Sequence, residues 1–65
     1  MIGKTGRVSG RIGPGRVGEV MISIRSGSEA FFAHPNSHGE TIEIGVLVVV
    51  TDFQAPRTVY VDRLS

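Results

Sequence analysis

A chain of 65 residues is close to the smallest size at which one hydrophobic core can offset the entropy lost on folding, so we expect a single domain spanning residues 1–65. Its 9 glycines and 3 prolines exclude long helices. With a formal charge of +1, the chain does not have the excess of basic residues that is typical of proteins that bind a phosphate backbone. The absence of cysteine excludes disulfides, thiolate metal ligands and a cysteine nucleophile.

The first predicted strand runs from Ile2 to Ile12. Three glycines interrupt it, which indicates a strand that bends or bulges, as strands do when they close a small barrel. The segment Gly13-Pro14-Gly15 that follows is typical of a turn. Its Gly-x-Gly spacing does not predict a phosphate loop, because no Gly-Lys-Ser/Thr and no helical pattern come after it.

A β-hairpin is predicted between Arg16 and Pro35. Its first strand, Val20 to Ile24, alternates strictly, so that Met21 and Ser23 point away from the core-facing side. The pair Ser26-Gly27 provides a two-residue turn with a glycine available for a positive φ. The hairpin is therefore the best-marked part of the chain.

The second strand of this hairpin contains two adjacent phenylalanines, Phe31 and Phe32. Neighbouring side chains of a strand point to opposite faces of the sheet. One of the two rings must therefore lie outside the main core, where it is a candidate for contact with a partner. The sequence does not indicate which of them it is.

The segment from His34 to Gly45 has the composition of a loop at its start. It contains His34, His38 and Glu40, the one group in the chain with the character of metal ligands. Two histidines four residues apart suit a helix, whereas the proline and glycine between and beside them indicate an irregular loop. We expect no metal and no cofactor here, and a zinc-dependent hydrolase built on these residues is the remotest alternative.

Two further strands complete the chain. Val46 to Phe53 is the most apolar run and is typical of a strand that is buried on both sides or that crosses the seam of a barrel. Its uninterrupted apolar part is far shorter than the about 20 residues that a membrane-spanning helix needs. After a turn, Arg57 to Leu64 alternates again. The chain is thus predicted to be an all-β, five-stranded small barrel.

The composition favours binding over catalysis. No serine lies in a Gly-x-Ser-x-Gly elbow, and a barrel of this size has little room for a desolvated catalytic pocket. We therefore predict no catalytic residues and no enzyme. The alternative to a protein-binding module is a free-standing domain for single-stranded nucleic acid, which would use aromatic rings and arginines. Nucleic acid is the less favoured partner because carboxylates lie among the six arginines, a pattern typical of cross-strand ion pairs.

Four segments carry a resemblance to a known family: Ile2–Val8 (IGKTGRV), Gly13–Val20 (GPGRVGEV), Ile42–Gly45 (IEIG) before a valine-rich strand, and Val59–Val61 (VYV). They resemble the C-terminal soluble domain of NfeD-like membrane proteins, over nearly the whole chain. The resemblance implies a five-stranded OB-fold barrel that forms the soluble C-terminal part of a longer membrane protein. It also implies a position at the cytoplasmic face of the cell membrane.

The same resemblance implies a non-enzymatic protein–protein interaction module. Members of the family are implicated in membrane organisation and in membrane-protein quality control. The implied partner is a membrane scaffold protein of the flotillin or stomatin type, or a membrane protease. An exposed edge strand would in addition allow two copies of the chain to pair as a homo-oligomer.

The expected binding site follows by analogy with other OB-folds, which usually bind on the face of strands two and three and the adjoining loops. Here that face is expected to comprise Met21, Ser23, Arg25, Phe31 and His34. The loop that follows His34 is longer and more polar than the family pattern.

Overall fold

A computed structural model describes residues 1–64 as a closed barrel of five strands. The strands are β1 (Thr5–Gly10), β2 (Gly18–Ile24), β3 (Gly27–Pro35), β4 (Leu47–Gln54) and β5 (Thr58–Arg63). Around the barrel their order is β1-β2-β3-β5-β4, and β4 pairs with β1 to close it. Only β3 and β5 pair in parallel among these strands. The prediction of an all-β, five-stranded barrel of the OB type is confirmed.

The regular part of the first strand is shorter than predicted. Pairing between β1 and β2 is irregular between Val8 and Gly10, which is the bulge that the interrupting glycines indicated. Beyond it, Ile12 forms an isolated bridge with Ile42 and Gly13 turns back to Arg16, whose N–H donates to the Gly13 carbonyl at 3.3 Å. The predicted Gly-Pro-Gly turn is therefore confirmed.

The hairpin of β2 and β3 turns one residue earlier than predicted. Ile24 pairs with Gly27, so the turn residues are Arg25 and Ser26. Neither of these has a positive φ, whereas Gly27 does, at 135°. Gly27 therefore does not lie at the centre of the turn. It is the residue that follows the turn, where it adopts a positive φ without strain.

The core consists of eleven apolar side chains, contributed by all five strands and by two residues of the connecting segments. Within residues 1–64 no polar or charged residue is buried with them. The alternation of β2 is confirmed, since Val20 and Ile22 are fully buried and Met21 is exposed. The eleven are Val8, Ile12, Val20, Ile22, Phe31, Ala33, Ile42, Val48, Val50, Val59 and Val61.

The apolar strand β4 crosses the seam of the barrel, because it pairs with β1 on one side and with β5 on the other. It is not buried on both faces. Val48 and Val50 belong to the core, whereas Leu47 is 48% exposed. One face of this run is therefore available to solvent despite its composition. No helix in the described part of the chain is both long enough and apolar enough to span a bilayer.

Gly18 opens β2 where the chain returns from the turn and crosses the end of β1. A Cβ atom there would lie 2.8 Å from the carbonyl oxygen of Gly10 and 2.9 Å from Cα of Ile12. These distances are shorter than ordinary van der Waals contacts between such atoms. The crossing of the two segments thus requires a residue with no side chain.

The connection from β3 to β4 consists of turns and is tied to the barrel through Ile42. The N–H of Ile42 donates to the Ile12 carbonyl at 2.8 Å, and the N–H of Ile12 donates to the Ile42 carbonyl at 3.0 Å. Both side chains are fully buried. A single loop residue therefore closes this part of the core and holds two connecting segments together.

Candidate partner-binding surfaces

The outward side of β2 and β3 forms a first candidate surface, the hairpin face, which we define by Met21, Ser23, Arg25, Ala30 and Phe32. Met21 lies opposite Ala30 across the two strands. Phe32 is two residues further along β3 and is therefore a diagonal neighbour of Met21 on the same side. Met21 and Ser23 thus lie on one side of β2, and Arg25 follows them in the hairpin turn.

The prediction that Phe31 belongs to this face is wrong. The pairing of Val20 with Phe31 turns the Phe31 ring into the barrel, where it is only 6% exposed, whereas Phe32 is 57% exposed. Phe32 is therefore the aromatic side chain available to a partner. The sequence could not decide between them, because both faces of the run Ala30-Phe31-Phe32-Ala33 are apolar.

Arg57, the turn residue before β5, lies over the Phe31 ring. Its Cζ atom lies 5.5 Å from the centroid of the Phe31 ring. Nη1 of the same guanidinium donates to the Ala30 carbonyl at 2.9 Å, and Nη2 donates to Glu29 at 3.1 Å. One side chain thus holds both the ring and the backbone of β3.

His34 lies two residues beyond Phe32 on the outward side of β3, at the opposite end of the strand from Arg25. It is seven residues beyond Gly27 on β3, a distance of roughly 23 Å along an extended strand, whereas Arg25 is beside Gly27 at the hairpin turn. The His34 ring instead packs beside Tyr60 of β5, with 5.4 Å between ring centroids. The parallel pairing of β3 and β5 places these two residues side by side.

A second candidate surface, which the sequence did not predict, is a cleft of about 560 Å³ around His34 and Tyr60. We call it the turn cleft. Its walls are two turns and its base is the outer side of β3 and β5. It is lined by residues 13–17, by His34 and Pro35 at the end of β3, by His38 and Gly39, and by Tyr60.

Each wall of the turn cleft is a turn closed by its own backbone hydrogen bond. One turn is held by the bond from Arg16 to Gly13, and the other by a bond from the Glu40 N–H to the Ser37 carbonyl at 3.2 Å. Arg63 of β5 binds the second wall through the Glu40 carboxylate at 2.9 Å and through the Thr41 carbonyl at 2.7 Å. The second wall is thus attached to β5 through Arg63, and the first wall follows Ile12, whose backbone is bonded to Ile42.

The residues His34, His38 and Glu40 do not form a metal site. The Glu40 carboxylate is held by Arg63. Among residues 1–64 no group of three histidine, cysteine or carboxylate side chains is placed to hold a metal ion. The hypothesis of a metal-dependent hydrolase therefore has no support in the geometry.

All six aspartate and glutamate side chains of the chain have partners that are not among the residues lining the turn cleft. Three form ion pairs with arginines: Glu43 with Arg11, Glu29 with Arg57 and Glu40 with Arg63. The other three accept hydrogen bonds, namely Glu19 from Ser9, Asp62 from Asn36 and Asp52 from the Phe53 N–H. The pairing of half of the arginines weakens the case for a nucleic-acid surface, since these guanidinium groups already have anionic partners.

Comparison with known proteins places this barrel among related domains. The family model for the NfeD C-terminal domain matches residues 5–62. The C-terminal domain of stomatin operon partner protein 1510-C from Pyrococcus horikoshii is 34% identical, with a TM-score of 0.72 over 100% of this chain and 89% of that chain.

The fold also matches a second solved structure, the soluble domain of a membrane protein implicated in regulation of membrane protease activity from Corynebacterium glutamicum. The two are 22% identical, with a TM-score of 0.82 over 98% of this chain and 92% of that chain. A search of the curated proteins gave no match.

Proposed function

Because this chain belongs to the family of NfeD C-terminal domains, we propose that it is a non-enzymatic protein–protein interaction module acting at the cytoplasmic face of the cell membrane. Its partner is a scaffold protein of the flotillin or stomatin type or a membrane protease, and its role lies in membrane organisation and membrane-protein quality control. The description of one relative as a stomatin operon partner and of another as implicated in membrane protease regulation supports this choice of partners.

The observation that carries the proposal is the hairpin face. Phe32 is a large aromatic side chain that is more than half exposed on a strand paired on both sides, with Glu19 of β2 and Thr58 of β5 as its neighbours. A ring held on a rigid sheet loses little conformational freedom on binding, which is why aromatic residues dominate the energetics of many interfaces. Met21 extends this apolar surface, and Arg25 adds a cation at its end.

The hydrogen bonds and ion pairs of the carboxylates support a non-enzymatic role. Each carboxylate is engaged by an arginine, a hydroxyl, an amide or a backbone N–H, as is typical of groups that stabilise a surface. General acid–base chemistry needs instead a titratable group that faces a pocket and is free to exchange a proton with a substrate.

Replacing both Arg25 and Phe32 with alanine is expected to reduce capture of a purified stomatin-type scaffold protein about tenfold or more. The double variant removes the aromatic and the cationic contact of the hairpin face. It should remain folded, because both side chains are exposed. The affinity is measured with the domain immobilised and the scaffold protein in solution, and a purified membrane protease is assayed in the same way.

The matched control replaces Ile44 and Lys4 with alanine, which removes one exposed apolar side chain and one exposed cation outside the hairpin face. This control should capture the partner as well as the unaltered domain does. Unchanged capture by the folded Arg25/Phe32 variant would show that the hairpin face is not the binding site. Failure of the unaltered domain to bind either class of protein would overturn the proposed partners.

A further inference from the structure

We propose that the turn cleft, which adjoins the hairpin face on β3 but is lined by different residues, is a second binding site, and that it binds an extended acidic segment of a partner protein. The segment places a carboxylate beside Arg16 and an adjacent apolar side chain against Tyr60 and the prolines of the cleft. This inference does not depend on which protein the hairpin face contacts.

The dimensions of the cleft suit a short segment of chain. Its volume of about 560 Å³ lies within the range in which surface pockets enclose a small ligand. The paired rings of His34 and Tyr60 form its base, while Pro14, Val17 and Pro35 make its lining largely apolar. Rings and prolines of this kind pack well against an extended peptide, whose side chains project alternately to either side.

The cleft carries the positive charge of Arg16, which favours an anionic ligand. Arg16, His34 and His38 line it, and none of its described lining residues is an aspartate or glutamate. Arg16 takes no part in the three ion pairs found within residues 1–64, and the aspartate and glutamate side chains of the chain have other partners. A guanidinium group that no intramolecular carboxylate neutralises can bind an external carboxylate through two parallel hydrogen bonds.

The cleft is preorganised for binding. Gly15 and Gly39, at the tips of the two walls, have φ values of 74° and 83°, which glycine adopts without strain. The bridge between Ile12 and Ile42 and the contacts of Arg63 fix the walls relative to each other. A ligand that enters therefore does not have to order either loop, a cost that otherwise weakens binding.

A peptide fits these features better than a nucleic acid does. A single strand of nucleic acid binds along a groove with successive cations for its phosphates, whereas the cleft combines one arginine with a predominantly apolar lining. An acidic residue flanked by apolar or aromatic residues satisfies both parts of the site. The predicted ligand is accordingly a mixed acidic and apolar sequence.

The test is a titration of the isotope-labelled chain at low salt, followed by the backbone amide resonances. Two short peptides with blocked ends are used, one alternating glutamate with phenylalanine and the other alternating glutamine with phenylalanine. The glutamate peptide is expected to shift the resonances of Gly13, Gly15, His34 and Tyr60. The glutamine peptide, which keeps the apolar side chains without the charge, is expected to bind at least about fivefold more weakly.

The variant Arg16→Glu is expected to weaken binding of the glutamate peptide about fivefold or more. Lys4→Glu makes the same change of charge at an exposed position that does not line the cleft, and it is expected to alter the affinity less than twofold. This comparison separates a local contact of Arg16 from a general effect of net charge.

Three results would overturn the proposal. They are an absence of shifts at the cleft, equal binding of the two peptides, and equal weakening by the Arg16 and Lys4 variants. A short oligothymidylate that shifts the cleft resonances where the glutamate peptide does not would assign the site to nucleic acid instead. None of these results bears on the capture experiment, which depends on Arg25 and Phe32.

Discussion

Replacing Gly18 with alanine is expected to unfold the domain. The new Cβ would overlap Cγ1 of Ile12 and would also meet the Gly10 carbonyl oxygen and Cα of Ile12, at 2.8 and 2.9 Å. Two of these contacts are to backbone, so a change of side-chain rotamer cannot relieve them. Overpacking of this kind costs about 3 kcal/mol, which is similar to the whole stability that a core of this size provides. Urea denaturation followed by circular dichroism measures the loss.

The control is Gly15→Ala, in which a Cβ atom would meet nothing within 4 Å. The only expected loss of stability comes from the positive φ of 74° at this position, which costs about 1 kcal/mol for an alanine. The Gly18 variant is expected to be clearly the less stable of the two. Equal stability would mean that the two segments can separate at this crossing without loss of the core.

Replacing Ile42 with alanine is expected to lower the free energy of unfolding by about 3 kcal/mol, the usual cost of emptying a fully buried isoleucine site. Ile42 lies in a connection rather than in a strand, yet its side chain is 0% exposed. The substitution also weakens the packing beneath its two hydrogen bonds to Ile12. The midpoint of urea denaturation should therefore shift strongly to lower concentration.

Ile44→Ala is the matched control, since it makes the same change two residues away in the same connection. Ile44 is 65% exposed, and its replacement is expected to change stability by less than about 0.5 kcal/mol. If the Ile42 variant were as stable as the Ile44 variant, the connection would not contribute to the core.

The parts of the fold that follow from local patterns could be predicted from the sequence. The alternation of Val20 to Ile24 determines which side of β2 is buried, and Gly13-Pro14-Gly15 is a turn in any context that lets Gly15 adopt a positive φ. Local patterns do not determine which of Phe31 and Phe32 is buried. Both faces of that run are apolar, so only the pairing register with β2 decides which ring enters the core.

The turn cleft could not be predicted for a different reason. His34 and Tyr60 are far apart in the sequence and meet only because β3 and β5 pair in parallel. The two walls likewise come from separate connections, which the bridge between Ile12 and Ile42 brings together. The sequence indicates that these glycines and histidines lie in or beside loops, but they come close together only when the barrel closes.

The position of Arg57 has a consequence for how the domain behaves when many copies are crowded together. Strand β3 pairs with β5 only from Phe32 onward, so within residues 1–64 its first half has a strand partner on the β2 side alone. An exposed strand side of this kind is a template on which another chain can add. Arg57 occupies the Ala30 carbonyl on that side and places a charge there. The side chain of Arg57 therefore covers a carbonyl group that a strand added on this side of β3 would otherwise bind.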